Sequence, residues 1–305
     1  MVITEYQVGL GAYGVAVTPD GTVWTTLADR GELVALRPDG ELRRVRLDSE
    51  HSRPMVITCD PSGSLWFSRG DGAIGHVDAA GSITSQPVLT AGGSPYGLCL
   101  GPDEESLWYT LIAAHKIGRI TPGGQIDEFL IADGGMPALI TTGPDDALWF
   151  TLTQANAIGR ITIDGDITTH PLPTPGAAPV GIDASHDALW FTEIGAGQLG
   201  QITPDGQITE FALPDRTSRP HAIAATAGGG CWATLWAAND IVQLRHDGQI
   251  ITKASFGSGA EPHGLAIAPD LSIRVALERA RSPSSKAFTP ESPSERCGRQ
   301  TPEPG

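Results

Sequence analysis

The chain of 305 residues contains no run of about 18 or more apolar residues, which excludes a spanning helix. Its first residues, MVITEYQV, lack the basic and long apolar regions of a secretion signal. These two absences predict a soluble cytoplasmic protein with no membrane partner. Basic residues are also scarce, 20 Lys and Arg against 35 Asp and Glu, for a formal charge of −15. Sequence-independent binding to a phosphate backbone needs clustered basic side chains, so nucleic acid is excluded as a partner. The four cysteines, Cys59, Cys99, Cys231 and Cys297, include no CxxC pair, which argues against a thiolate metal site or a disulfide framework. They read as structural thiols. No P-loop, HExxH or GxSxG motif occurs.

Glycine and proline, by contrast, are plentiful, with 38 and 24 residues punctuating many short apolar runs. That pattern predicts strands and tight turns, an all-β protein. Length alone suggests about two domains, but an internal repeat overrules that prior. Trp24, Trp66, Trp108, Trp149, Trp190 and Trp232 stand 42, 42, 41, 41 and 42 residues apart. Around them recur SLWFS, SLWYT and ALWFT, followed by segments such as KIGRITPGGQIDEF and QLGQITPDGQITEF. A unit of this length holding four short antiparallel strands is a propeller blade. Seven inner strands are expected, with Tyr13, Met55, Tyr96, Ala138, Val180, His221 and His263 at the same phase in each. The reading is a seven-bladed β-propeller of four-stranded blades spanning residues 1–278. The N-terminal segment VITEYQV matches the outer strand QITEFAL of residues 207–213, so it is expected to close the last blade as its outer strand.

The repeat fails near its end. Arg274 stands where a seventh tryptophan is expected, and after Glu278 the third-strand motif gives way to RARSPSSKAFTPESPSERCGRQTPEPG. With five prolines, five serines and few apolar residues, 279–305 reads as a divergent, disordered tail.

Candidate functional residues gather where strands meet one face of the disc. The first strand of a blade leaves that face and the second returns to it. In EPHGLAIAPDLSIRVALE, a turn near Asp270 places Glu278 opposite Pro262 to within a residue, so Glu261, His263 and Glu278 converge. His221 holds the phase of His263 one blade earlier, Tyr13 one blade later, and Trp236 the phase of Glu278 in blade six. Two carboxylates suit a hard cation such as Mg²⁺ that keeps water and substrate oxygens in its shell. A neighbouring histidine can act as a general base near neutral pH. His51, His76, His115, His170, His186 and His246 read as surface residues, and Glu193 and Glu210 as solvated strand ends. The repeated Asp residues of the turns serve backbone geometry.

The repeat LWFT…AIGRIT..G.ITEF, the motifs PYG, RPHAI and EPHG, and the placement of Glu278 resemble the virginiamycin B lyase, or streptogramin B lyase, family over residues 2–278. The resemblance implies a monomeric, Mg²⁺-dependent carbon–oxygen lyase. Such an enzyme linearises cyclic streptogramin B depsipeptides by elimination at the ester bond and so confers antibiotic resistance. It further implies His263 as general base, Glu261 and Glu278 as metal ligands, and Tyr13, His221 and Trp236 as substrate contacts. The departures, Arg274 and the lost third strand, fall in the blade that carries these residues. Two rival functions follow from the residues themselves: a propeller that only binds a ligand or protein and needs no carboxylate pair, and a metal-dependent lactonase-like hydrolase that adds water.

Overall fold

Turn chemistry sets the strand lengths. Asp-Gly, Ser-Gly and Gly-Gly corners cut the chain into strands of five or six residues, and the computed structural model describes residues 2–279. Six repeat units, 12–46, 54–87, 95–130, 137–171, 179–212 and 220–255, each form a four-stranded antiparallel sheet with strands in sequence order. The expectation of seven four-stranded blades is corrected by this count. The seventh unit is a two-stranded sheet of Pro262–Ile267 and Ile273–Leu277.

The expected closing strand is corrected as well, because residues 2–8 form no strand. An outer strand bonds to the third strand of its own blade, and no third strand follows Leu277 among the described residues. The expectation of a disordered tail falls, from residue 280 onward, outside the described residues. The propeller ring nevertheless closes through its inner strands. The inner strand Ala12–Val17 packs against Pro54–Cys59 on one side and Pro262–Ile267 on the other.

Two repeated devices fix the inner strands. Each inner strand slips register after its first residue, as where Pro262 pairs with Leu277 but Leu265 with Val275. The bulge frees an N–H, and a hydroxyl on the second strand receives it while bonding to the next blade. Gly181 N–H donates to Thr192 Oγ1 at 2.7 Å, and that hydroxyl donates to the His221 carbonyl at 2.9 Å. Thr234 likewise accepts from Ala222 N–H at 2.8 Å and donates to the His263 carbonyl at 3.2 Å. Thr26, Thr110 and Thr151 do the same in their blades. The seventh unit has Ala276 at this position.

The second device is a left-handed residue before each inner-strand proline. Arg53, Ser94, Met136, Ala178, Arg219 and Glu261 have φ of 43, 57, 59, 50, 52 and 46°. L-residues adopt this conformation at a cost of about 1–2 kcal/mol, and its recurrence shows that the blade entrance imposes it. The glycine of EPHG has a steric cause too. A Cβ on Gly264 would lie 2.4 Å from the Tyr13 carbonyl oxygen, so only glycine admits blade one this closely.

Candidate active site

The bulge behind Pro262 brings the His263 side chain to the face where the ring of inner strands opens. Glu278 follows the last residue of the second strand, and its N–H donates to the Glu261 carbonyl at 3.2 Å. The pairing expected from the sequence is thereby met to within one residue, since Pro262 faces Leu277 and Glu278 lies across from Glu261. His263 Nε2 lies 2.6 Å from Glu278 Oε2. That contact is too poorly aligned to be an N–H···O hydrogen bond, and neither ring nitrogen of His263 has an aligned partner. Glu261 is anchored at its backbone, where its N–H donates to Asn239 Oδ1 at 3.0 Å.

Aromatic rings enclose the histidine. The Tyr13 ring lies 4.6 Å from that of His263 at 30°, His221 packs edge-on at 4.7 Å, and Trp236 stands 6.2 Å away. The Arg219 guanidinium sits 5.9 Å over the Trp236 ring and steadies it by cation–π attraction. The structure thus gathers Tyr13, His221 and Trp236 around the His263 ring, with Glu278 in contact with it and Glu261 beside Glu278 across the strand pair.

The electrostatics favour neutral imidazoles. Burial pushes the His263 pKa down, while Glu278 and Glu261 oppose the shift. His221 is pushed down to about 3, first by burial and then by repulsion from His263. Burial and the neighbouring Tyr96 raise the Tyr13 phenol well above its ordinary value, so it remains a hydrogen-bond donor. Buried polar atoms normally find partners, yet His221 Nδ1, Trp236 Nε1 and both nitrogens of His263 have none here. Unpaired polar atoms grouped around one imidazole are available to hydrogen-bond a ligand.

Sequence reasoning passed over Tyr96, whose hydroxyl is 2.5 Å from that of Tyr13. The signal was available, since Tyr96 has the same repeat phase as Tyr13. The reading of Glu193 as a solvated end is corrected. Its side chain is fully buried, bonded at 2.6 Å to Gln198 Nε2, and its pKa rises to about 7, chiefly through burial. Glu210 is likewise engaged rather than free, accepting from the Thr174 N–H at 3.0 Å and hydroxyl at 2.7 Å. Both lie in blade five.

The profile of the Virginiamycin B lyase family matches residues 1–282. A virginiamycin B lyase from Nocardia farcinica is 43% identical over 140 residues, 46% of this chain and 47% of that protein. That match therefore spans about half the length of the curated relative. A solved streptogramin B lyase structure superimposes with a TM-score of 0.86 at 35% identity, covering 90% of this chain and 93% of that one. A catalytically inactive histidine-to-alanine variant of the Staphylococcus aureus virginiamycin B lyase with quinupristin superimposes with a TM-score of 0.85. It is 37% identical over 90% of this chain and 94% of its own. With a family match across all the described residues, this chain belongs to the virginiamycin B lyase family.

Proposed function

We propose that the cluster around His263 binds a cyclic depsipeptide of the streptogramin B class and opens it by elimination at the ester bond, with His263 as the general base. The observation that carries this reading is the set of orphaned polar atoms around a neutral histidine in contact with a carboxylate. A hydrolase would use the same groups to activate water, and only the product separates the two reactions.

In the elimination, the C–H bond next to the depsipeptide carbonyl breaks and its proton passes to the unprotonated nitrogen of the His263 ring. The electron pair forms a C=C bond, and the ester C–O bond breaks to release a carboxylate. No water is consumed. Depressed basicity keeps His263 unprotonated at neutral pH, ready to accept. Glu278 Oε2, 2.6 Å from Nε2, then stabilises the imidazolium once formed. Tyr13 and Trp236 offer a hydroxyl and an indole N–H to substrate carbonyls, and His221, neutral and edge-on to His263, orients the ring.

No group of three or more His, Cys, Asp and Glu among the described residues is arranged as a metal cage. Glu261 and Glu278 are neighbours across the strand pair, joined by the bond from the Glu278 N–H to the Glu261 carbonyl, and in this reading their two carboxylates would take a cation that completes its shell from water and substrate, as Mg²⁺ does. Mg²⁺ held there would polarise the carbonyl beside the proton that is removed.

The test is the mass of the product formed from a streptogramin B with Mg²⁺. Elimination gives a linear product of unchanged mass. A gain of one water assigns the site to the hydrolases, and full activity without divalent ions removes the metal from the reading.

A further inference from the structure

The second residue of each inner strand marks one phase of the repeat, held in chain order by Tyr13, Met55, Tyr96, Ala138, Val180, His221 and His263. Four of these carry a hydroxyl or an imidazole, and three already belong to the cluster around His263. Tyr96 is the fourth. It stands in blade three and Tyr13 in blade one, and these blades do not adjoin, since the inner strand of blade two, Pro54–Cys59, packs between theirs. Their side chains meet all the same. The hydroxyls lie 2.5 Å apart and the rings are edge-on, with centroids 6.4 Å apart at 64°. Each ring also starts from a fixed backbone, because both tyrosines stand in the register slip of their strand, between Ala12 and Val15 and between Pro95 and Leu98. The N–H that follows each is held by a threonine, Gly14 donating to Thr26 Oγ1 at 2.8 Å and Gly97 to Thr110 Oγ1 at 2.9 Å.

Among the described residues the Tyr13 hydroxyl bonds only with that of Tyr96, while its ring lies 4.6 Å from His263. Two phenols carry two protons, and the bond between them uses one. Burial raises both above their ordinary values, so neither proton is lost near neutral pH and the second stays available to a ligand. Tyr13 is the ring beside His263, which places the available proton on its oxygen and makes Tyr96 the donor of the bond between them. We propose that Tyr96 is a positioning residue of this site: its hydroxyl donates to the Tyr13 oxygen, fixes that phenol beside His263 and turns the Tyr13 proton toward a substrate carbonyl. This role presupposes the binding of a cyclic depsipeptide around His263 proposed above. Tyr96 acts through Tyr13 and not on the substrate itself. A hydroxyl that accepts one hydrogen bond becomes a stronger donor of the next, because bonds in a chain polarise one another. A carbonyl gripped equally before and during the reaction shows this as affinity and not as turnover.

The experiment compares the full-length native protein with Tyr13→Phe, Tyr96→Phe and the double variant, each checked for folding by circular dichroism, in turnover of a streptogramin B over a range of concentrations. Should a phenylalanine variant fail to fold, methionine, which blade two already carries at this phase, takes its place. Tyr96→Phe is expected to raise KM about two- to tenfold, the worth of one hydrogen bond, with kcat little altered. The double variant is expected to match Tyr13→Phe alone, because a residue that acts through Tyr13 has nothing left to act on once that hydroxyl is gone. A native protein that leaves the streptogramin intact removes the proposed function and this role with it. In an active native protein, an unmoved KM in Tyr96→Phe, or losses that multiply in the double variant, overturns the role of Tyr96 alone.

Discussion

Blade five and the seventh unit begin from the same repeat and end as different objects. In blade five the second strand, Leu189–Glu193, is buried at every residue, with Trp190 wholly enclosed against Phe211. In the seventh unit the matching strand, Ile273–Leu277, has only Ala276 buried. Blade five has four strands and a threonine hydroxyl clamped to its neighbour; the seventh unit has two strands and an alanine. Yet His263, Glu261 and Glu278 all belong to the sparser unit. The comparison teaches that packing and the proposed chemistry are allotted to different sectors, with six four-stranded sheets flanking one that, among the described residues, has two strands and carries the proposed base and carboxylates.

Changes in the two sectors should therefore separate activity from stability. The largest effect expected is on rate. His263→Ala should lose roughly 10²- to 10⁴-fold in turnover with an unchanged melting midpoint, measured by product formation beside calorimetry. In the native protein the acid limb of the rate profile should fall below about pH 6.5, because burial depresses this imidazole and protonation abolishes its role as acceptor. Full activity in a folded His263→Ala variant would remove the histidine from the mechanism.

Stability should show the reverse pattern. Trp190→Ala, deep in blade five, should cost about 3–5 kcal/mol in denaturant titration. Arg274→Ala, at the same repeat phase in the seventh unit with a third of its side chain exposed, should stay within about 0.5 kcal/mol. Equal losses at the two positions would break the contrast.

Glu261→Gln and Glu278→Gln keep shape but remove charge. Each should weaken the apparent affinity for Mg²⁺ by roughly tenfold or more in a titration of activity, with little change in folding. Unaltered metal dependence in both variants would sever the carboxylates from the cation.

A smaller effect concerns pH and unfolding. His221 has a folded-state pKa pushed down to about 3, so the fold prefers its neutral ring. The stability this provides is complete above the ordinary histidine range near 6.5 and is lost progressively as pH falls from there toward 3. Unfolding of His221→Phe followed between those limits should show a shallower pH slope than the native protein. The smallest effect is a gain. Ala276→Thr restores the missing hydroxyl at the seam with blade one, within reach of the Gly264 N–H and the Tyr13 carbonyl if it copies Thr234, and should add about 1 kcal/mol.

Much of this was legible in the sequence because a fixed period converts one strand assignment into seven. The phase that aligned His263 with His221 and Tyr13 placed the cluster, and a single turn near Asp270 set Glu278 beside Glu261. What escaped was whatever depends on contacts between blades. Tyr96 meets Tyr13 across 83 residues of sequence, and Glu193 is buried by neighbours that no local pattern announces. The segment VITEYQV was read as the closing outer strand and forms no strand, since pairing depends on a partner and not on propensity.

The left-handed residue ahead of each inner-strand proline has a consequence for how such a face can be altered. Arginine, serine, methionine, alanine and glutamate all hold the same backbone angle at this place, within a span from 43 to 59°. The conformational cost is met by the blade whatever the side chain, so these entrances behave as interchangeable sockets around a common rim. Glu261 occupies one of them. A carboxylate, a guanidinium and a bare methyl already stand at this place on one shared backbone, so the rim offers positions where side-chain chemistry varies while the strand behind it keeps its path.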